Sequence, residues 1–428
     1  MDAEQACCRN VNMRFANSLV ALGVVLLVTG NGCGHKTDGP TGKKGPGTTS
    51  AGPAEAAGTA AGEVNETGFA PAARLEPGPG GVLYGVASKG GRHGSGVVFK
   101  LNEDGSGFKV LKHLAWSEGA TPLAGLTLSE NILYGTASVG GRSGAGTAFK
   151  ATADGSGFSV LKHFGGEAGE KPQGELTLDG RTLYGTTVNG GKSGKGVVYK
   201  MNTDGSGFMV LHHFGPGDGE YPFAGLNLSG NTLYGSTYGG GSNRAGTIYR
   251  LETDGSGYAI ILHCGWLNGA NPMMPHHRMV LSGNTLYGTA PGGSHGGGLV
   301  FKIGTDGSGF TVLKQLGVPL ADAGAFPGPL TLAENNVYGA LEHGGRTGRT
   351  SWEGAFFKVG TDGSGFGFIK RLTRAEGAKT TAAPVFVSGA LYGVAPQGGG
   401  GNKGTLFRLS ADGAEFAVLK EFGADEPN

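Results

Sequence analysis

The chain has 428 residues and a formal net charge of +1, so no bulk electrostatic pull towards nucleic acid or acidic membrane is implied. Its 89 glycines are the compositional anomaly. They show no Gly-X-Y period, which excludes collagen, and they punctuate short runs of Leu, Val, Phe, Tyr and Thr as turn-rich β-structure does. Of the four cysteines, Cys7, Cys8 and Cys33 lie near the N-terminus and only Cys264 lies beyond, which excludes a disulfide scaffold.

Residues 1–33 read as a bacterial export signal. Arg9 and Arg14 give a positive start, and an apolar run from Leu19 to Val28 follows, broken only by Gly23. That run is short of the roughly 20 residues a membrane span needs. Gly30-Asn31-Gly32-Cys33 closes the segment and resembles the lipobox of bacterial lipoproteins, with Gly30 where Leu is usual and Asn31 where a small residue is usual. The resemblance implies that Cys33 becomes a lipidated N-terminus. Residues 34–70 are rich in Gly, Ala, Thr and Pro, with too little apolar surface to offset ordering, and are expected to be a flexible tether.

From there the chain repeats. Leu-Tyr-Gly or its near equivalent returns at Leu83, Leu133, Leu183, Leu233, Leu286, Val337 and Leu391, seven times at close to 50-residue spacing. In the copy ending at Cys264, 222–228 predicts a first strand, 232–237 a second, 247–251 a third and 258–262 a fourth. Ser229-Gly230-Asn231 and Thr253-Asp254-Gly255-Ser256-Gly257 are tight turns. Cys264 stands where other copies have Phe or Leu, and so reads as a small buried apolar residue. Four short antiparallel strands at this period predict an all-β chain, a seven-bladed β-propeller over 71–423, with 424–428 as a tail. Strands are expected to run from innermost to outermost, with the ring closed by packing of blade 7 on blade 1, or by exchange of a strand between the termini.

The pattern LYGT…GG…FK…DGSGF resembles the GloVer tandem-repeat family of bacterial surface proteins over about 72–422. That resemblance implies a surface location and brings no catalytic residues to carry over. Copy five departs from it at Pro272 to His277, and copy six at Arg349 to Glu353.

Candidate chemistry is sparse. Each Asp-Gly-Ser-Gly turn (at Asp104, Asp154, Asp204, Asp254, Asp306 and Asp362) offers one carboxylate, where a calcium loop needs several, so a hairpin turn is the fuller explanation. The glycine loops precede strands, not helices, which disfavours a phosphate cradle. His113, His163, His213 and His263 recur at one strand end, too far apart around a ring to share a metal, and surface or inter-blade contacts are expected of them. His276 and His277, if adjacent on a strand, would point to opposite faces. No catalytic triad, Cys/His site or recurring carboxylate pair stands out, and no cofactor or metal is implied.

If the strands alternate, the loops between second and third strands share a face with the blade-to-blade connections. Those loops are basic throughout, several connections are acidic (Glu118, Glu167, Glu170, Asp218, Glu220, Asp322, Glu376), and Trp116, Tyr221 and Trp266 lie among them. The expected function is binding at this face, of an envelope protein or glycan and not of nucleic acid. Contact residues are expected at His276, His277, Arg346, Arg349 and Trp352, with the membrane engaged through the lipid anchor. A secreted glycan-active lyase or hydrolase, and a purely structural envelope component, are the competing expectations. For the anchor, mass spectrometry of the membrane-extracted protein should find an acylated N-terminus at Cys33; an unacylated N-terminus elsewhere refutes it.

Overall fold

The structure is a computed structural model that describes residues 65–265, 272–293, 296–317, 325–344, 346–347, 350–351 and 353–423. The export signal, Cys33, most of the tether, Trp266, Asp322, Arg349, Trp352 and the 424–428 tail lie outside the described residues. Seven four-stranded antiparallel sheets form a ring, each built from consecutive strands except the sixth, whose second and third strands are separated by a two-stranded hairpin. They span 76–113, 127–163, 177–213, 227–263, 280–317, 325–372 and 385–421, and are numbered blades 1 to 7 in that order.

Blade 4 shows the plan: Asn227–Ser229, Thr232–Thr237, Thr247–Glu252 and Ala259–His263. The last three match the expected strands to within a residue. The first is shorter than the expected 222–228, because the residues before it bond to a neighbouring blade. Thr186 Oγ1, in blade 3, donates to the Ala224 carbonyl at 2.8 Å, and Thr177 Oγ1 donates to that of Leu226 at 2.6 Å. First strands of blades 1 and 2, 5 and 6, 6 and 7, and 7 and 1 touch one another, which places them innermost. In every blade a register shift separates third and fourth strands just before the third-strand aromatic, as between Ile248 and Tyr249. A bulge there adds twist at the same place in all seven sheets.

There is no single core. Seven apolar clusters fill the seven seams between blades, and each contains one second-strand Tyr from the blade before it. Those tyrosines, Tyr84, Tyr134, Tyr184, Tyr234, Tyr287, Tyr338 and Tyr392, are 3–8% exposed. The Gly after each leaves room for the third-strand ring of its own blade. A Cβ on Gly85 would sit 2.5 Å from Phe99. Cys264 lies fully buried in the seam between blades 4 and 5, as its column predicted.

Two backbone devices set the seams. On one face, the first Gly of each Asp-Gly-Ser-Gly turn takes a positive φ and lies against the fourth strand of the preceding blade. A Cβ on Gly205 would meet the Leu161 carbonyl at 2.7 Å, and one on Gly105 the Leu419 carbonyl at 3.0 Å. The Asp carboxylate stays inside its turn, accepting the Ser206 N–H at 2.9 Å and the Ser206 hydroxyl at 2.6 Å in blade 3.

On the other face, the residue leading into each blade is left-handed and never Gly: Ala70, Thr121, Lys171, Tyr221, Met274, Phe326 and Lys379, with φ of 54–62°. Such a conformation costs roughly 1–2 kcal/mol per residue. In six of the seven, the N–H donates to a carbonyl of the preceding blade's loop, at 2.7–2.9 Å. Ala70 donates to Lys403 at 2.8 Å, so blades 7 and 1 are joined as the other seams are, with no exchanged strand.

At the axis, the position before the first-strand apolar residue is Arg74, Gly125, Glu175, Gly225 and Arg278 in blades 1 to 5. Glu175 reaches inward between two guanidiniums, 3.5 Å from Arg74 Nε and 2.7 Å from Arg278 Nη1. The flanking glycines leave it space: a Cβ on Gly125 would stand 2.2 Å from Glu175 Oε1. Burial opposes ionisation of Glu175, but the two cations outweigh it and hold the carboxyl below its usual range.

Two outcomes follow from this packing. Tyr184→Ala should lower stability by about 3 kcal/mol in chemical denaturation, as large aromatic truncations in cores do, while Trp116→Ala, at a side chain 58% exposed, should leave it nearly unchanged. The folded Glu175 carboxyl lies below the free value of about 4.3, so its contribution is complete above that pH and is lost as pH falls through the folded value. Glu175→Gln should therefore melt below wild type at pH 7, with the gap closing towards acid; a constant gap refutes the clasp.

Candidate functional site

The second-to-third loops and the blade connections do share a face. They are bridged at Ala120 with Val139, Glu170 with Asn189, Glu220 with Gly239 and Ala378 with Gln397. Several charges expected to bind partners there are instead internal supports. Glu118, Asp218 and Glu376 each accept the backbone N–H of a residue three positions earlier. They also pair with Lys112 at 2.7 Å, His212 at 2.8 Å and Lys370 at 2.5 Å, on the fourth strand before them. Short connections leave their first N–H groups unpaired, and an acid three residues on satisfies one.

The recurring histidines are also supports, and they act within a blade rather than between blades. His113, His163, His213 and His263 each accept at Nδ1 the backbone N–H of Arg92, Arg142, Lys192 and Ser242, at 3.2–3.3 Å. They pin each glycine loop to the end of its own fourth strand. Burial, then the neighbouring cation, holds His163 and His213 below the ordinary histidine value, which keeps the accepting ring neutral. In blade 7 Glu421 takes the same role, accepting from Gly400 N–H at 2.8 Å.

What remains on this face is unequal around the ring. The half-buried side chains of the left-handed residues are Ala, Thr and Lys in blades 1 to 3, but Tyr221, Met274 and Phe326 in blades 4 to 6. Next to these three stand Phe223, Tyr238 and His276. Their rings lie 5.7 Å apart for Phe223 and Tyr238, and 5.9 Å apart for Tyr238 and His276. Phe326 continues the crescent, packing edge-on against His343 at 5.7 Å.

The structure thus brings His276 and His277 to the crescent but not in the expected manner. They precede the strand, which begins at Val280. Off the strand, they lose its alternation, and their rings lie 4.0 Å apart instead of on opposite faces. His276 Nδ1 bonds the Met274 carbonyl at 2.9 Å, and His277 Nδ1 lies 3.5 Å from Thr289 Oγ1. Burial lowers the pKa of both rings, so they are neutral members of an aromatic wall. Among the described residues no group of three metal-ligating side chains is assembled. Arg346 lies on a short hairpin, Arg346–Thr347 with Thr350–Ser351, that extends the blade 6 loop. Arg349 and Trp352 belong to the same loop but lie outside the described residues.

A cleft of about 640 Å³ opens at the blade 4 end of the crescent. Its walls include Pro216, Tyr221, Tyr238 and Met274, and its polar groups include Glu220, Arg244 and the backbone of Gly240 and Gly241. Lys195 Nζ braces one wall, 3.0 Å from Glu220 and 2.8 Å from the Tyr221 hydroxyl. Sequence reasoning singled out Tyr221, and Met274 within the departure from Pro272 to His277, but passed over Phe223, Tyr238 and Phe326. One signal was available: Arg244 holds a φ of 55° in a column that is Gly94, Gly144 and Gly194 in blades 1 to 3.

The described geometry can be set beside known proteins. No curated protein sequence matches the chain. Similar solved folds include the GH74 enzyme of Niastella koreensis, at 18% identity and TM-score 0.55, with 82% of this chain and 54% of that one covered. A putative 6-phosphogluconolactonase of Bacteroides fragilis matches at 15% identity and TM-score 0.52, with 81% and 96% covered. At such identities the likeness is one of fold alone. The pattern of the Gloeobacter/Verrucomicrobia repeat, by contrast, matches the sequence over 70–291 and 266–428, the whole of the ring. Seven stitched blades carrying one repeat throughout make this chain a member of the Gloeobacter/Verrucomicrobia repeat family.

Proposed function

We propose that the protein is a cell-envelope-anchored binding propeller whose recognition surface is the crescent of blades 4 to 6. In this reading residues 1–33 direct export, Cys33 carries the lipid, and 34–70 tether the ring to the membrane. The partner is an envelope protein or a glycan. One observation carries the reading: the two faces are built to different rules. The turn face repeats nearly verbatim because its glycines lie against neighbouring backbone. The loop face shares the same stitches, yet the side chains at the stitched positions turn from Ala70, Thr121 and Lys171 to Tyr221, Met274 and Phe326 only in blades 4 to 6. Exposed or half-exposed aromatic and Met side chains on a rigid scaffold are costly to keep in water and are common anchors for partners.

Glu175 does not fit the acid of a glycosidase. Such an enzyme needs one carboxyl held protonated near the bond it cuts, and Glu175 is instead held ionised by Arg74 and Arg278. Burial raises the neighbouring Glu76 carboxyl despite its pairing with Arg74 at 3.1 Å.

The test is a screen of the full chain against surface glycans and purified envelope proteins, followed by two double variants. Arg349→Ala with Trp352→Ala should weaken the bound partner about tenfold or more, as loss of binding anchors does, with no change in melting temperature. Asp204→Ala with Ser206→Ala, on the opposite face, should leave affinity unchanged. The reverse result would place recognition on the turn face and overturn the proposal.

A further inference from the structure

The blade 4 cleft exists because a bond made in other blades is missing. Gly91, Gly141, Gly191 and Gly399 each donate their N–H to the blade connection on their own face, at 2.7–3.0 Å, the acceptors of the last three being Trp116, Gly166 and Arg374. Pro216 stands at the corresponding place in blade 4, and Gly241 N–H has no carbonyl partner among the described residues. Loop and connection part at that point, and the cleft lies between them.

Three features of the opening point to one chemistry. Tyr221 and Tyr238 line it as rings fixed from behind, the first by Lys195 and the second by Phe223 and His276. Gly241 offers an unpaired donor. Arg244 is exposed, adopts a left-handed conformation that three sister loops give to Gly, and forms no ion pair among the described residues. Glu220 is already paired with Lys195, so among the described residues the cleft presents one cation without a carboxylate beside it, Arg244. The stitching residues are left-handed too, but the Arg244 N–H bonds only the Gly241 carbonyl within its own loop, so its strain serves no seam.

We propose that this cleft binds an acidic sugar unit, a uronate within a polysaccharide. The C–H face of the pyranose rests on the tyrosine rings, and its carboxylate is held by Arg244 and Gly241 N–H. Its volume falls within the roughly 300–1,000 Å³ of small-molecule sites. A peptide fits less well, because the pairing of Glu220 with Gly239 consumes the backbone edge a strand would add to. This assignment rests on the loop face being the recognition surface and names the ligand class for one end of it.

The test is calorimetric titration of the full chain with uronate tetramers (glucuronate, galacturonate, mannuronate), with a neutral tetramer of glucose and with tetraglutamate. At least one uronate should bind. Arg244→Gly introduces the residue of the sister loops, so it should fold, and it should weaken binding roughly 10- to 100-fold, as loss of a charge-assisted hydrogen bond does. Tyr238→Ala should weaken binding as well. Failure of every uronate to bind, or affinity unchanged in Arg244→Gly, overturns the site. Equal binding of the neutral tetramer overturns the acidic assignment, and preference for tetraglutamate overturns the sugar. A partner from the screen that depends on Arg349 and Trp352 but not on Arg244 removes this inference alone and leaves the binding propeller standing.

Discussion

Every seam of the ring has a residue whose backbone is left-handed, and in six of the seven its N–H reaches into the loop of the blade before. The Tyr221 N–H donates to the Lys195 carbonyl at 2.9 Å, while the Tyr221 carbonyl accepts the Tyr238 N–H at 3.1 Å. One peptide unit thus ties a connection to two blades at once. The conformation is strained, and two well-placed hydrogen bonds hold it. The following proline packs on the last loop glycine of the preceding blade: a Cβ on Gly196 would stand 2.7 Å from Pro222 Cδ. Removing the stitch at any seam would open a four-stranded sheet whose two faces are both apolar.

That constraint explains why the sequence is uniform in some columns and free in others. The turn glycines, the loop glycines beside proline and the second-strand tyrosines all lie where a change meets backbone or a filled seam. The stitched residue is different. Its backbone is fixed, but its side chain projects to the loop face, so blades can carry Ala, Lys, Tyr or Phe there at little cost to the ring. Recognition chemistry can therefore vary at the very positions that hold the fold. The sector rich in such side chains spans blades 4 to 6, and it adjoins the one described connection, at Pro216, that has parted from its loop.

The axis follows a related economy. Three long charged side chains from blades 1, 3 and 5 meet where blades 2 and 4 contribute glycine. A ring of seven identical small residues would leave an axial hole, and seven charged ones would repel. Alternation of Arg, Gly, Glu, Gly and Arg fills the space, with Glu76 as a second carboxylate beside Arg74, and each of the two carboxylates has a guanidinium next to it.

Much of this was legible beforehand. The 50-residue period, the Asp-Gly and Asn turns and the alternating Leu-Tyr and Phe-Lys runs specify local hydrogen bonding, so strand positions and blade number followed from sequence. Period and turn chemistry act over a few residues, and a sequence displays them directly. The roles of the histidines and acids were misread, because a side chain that supports its own loop looks in sequence like one offered to a partner. His276 and His277 were taken for strand residues because the repeat does not show how short the first strand of their blade is, only Val280–Ser282. Arg74, Glu175 and Arg278 lie about a hundred residues apart in the chain, and His276, in the segment leading into blade 5, meets Phe223 and Tyr238 of blade 4. Only closure of the ring brings them together, because each blade's register is local while its neighbours across the axis are fixed by the curvature of all seven.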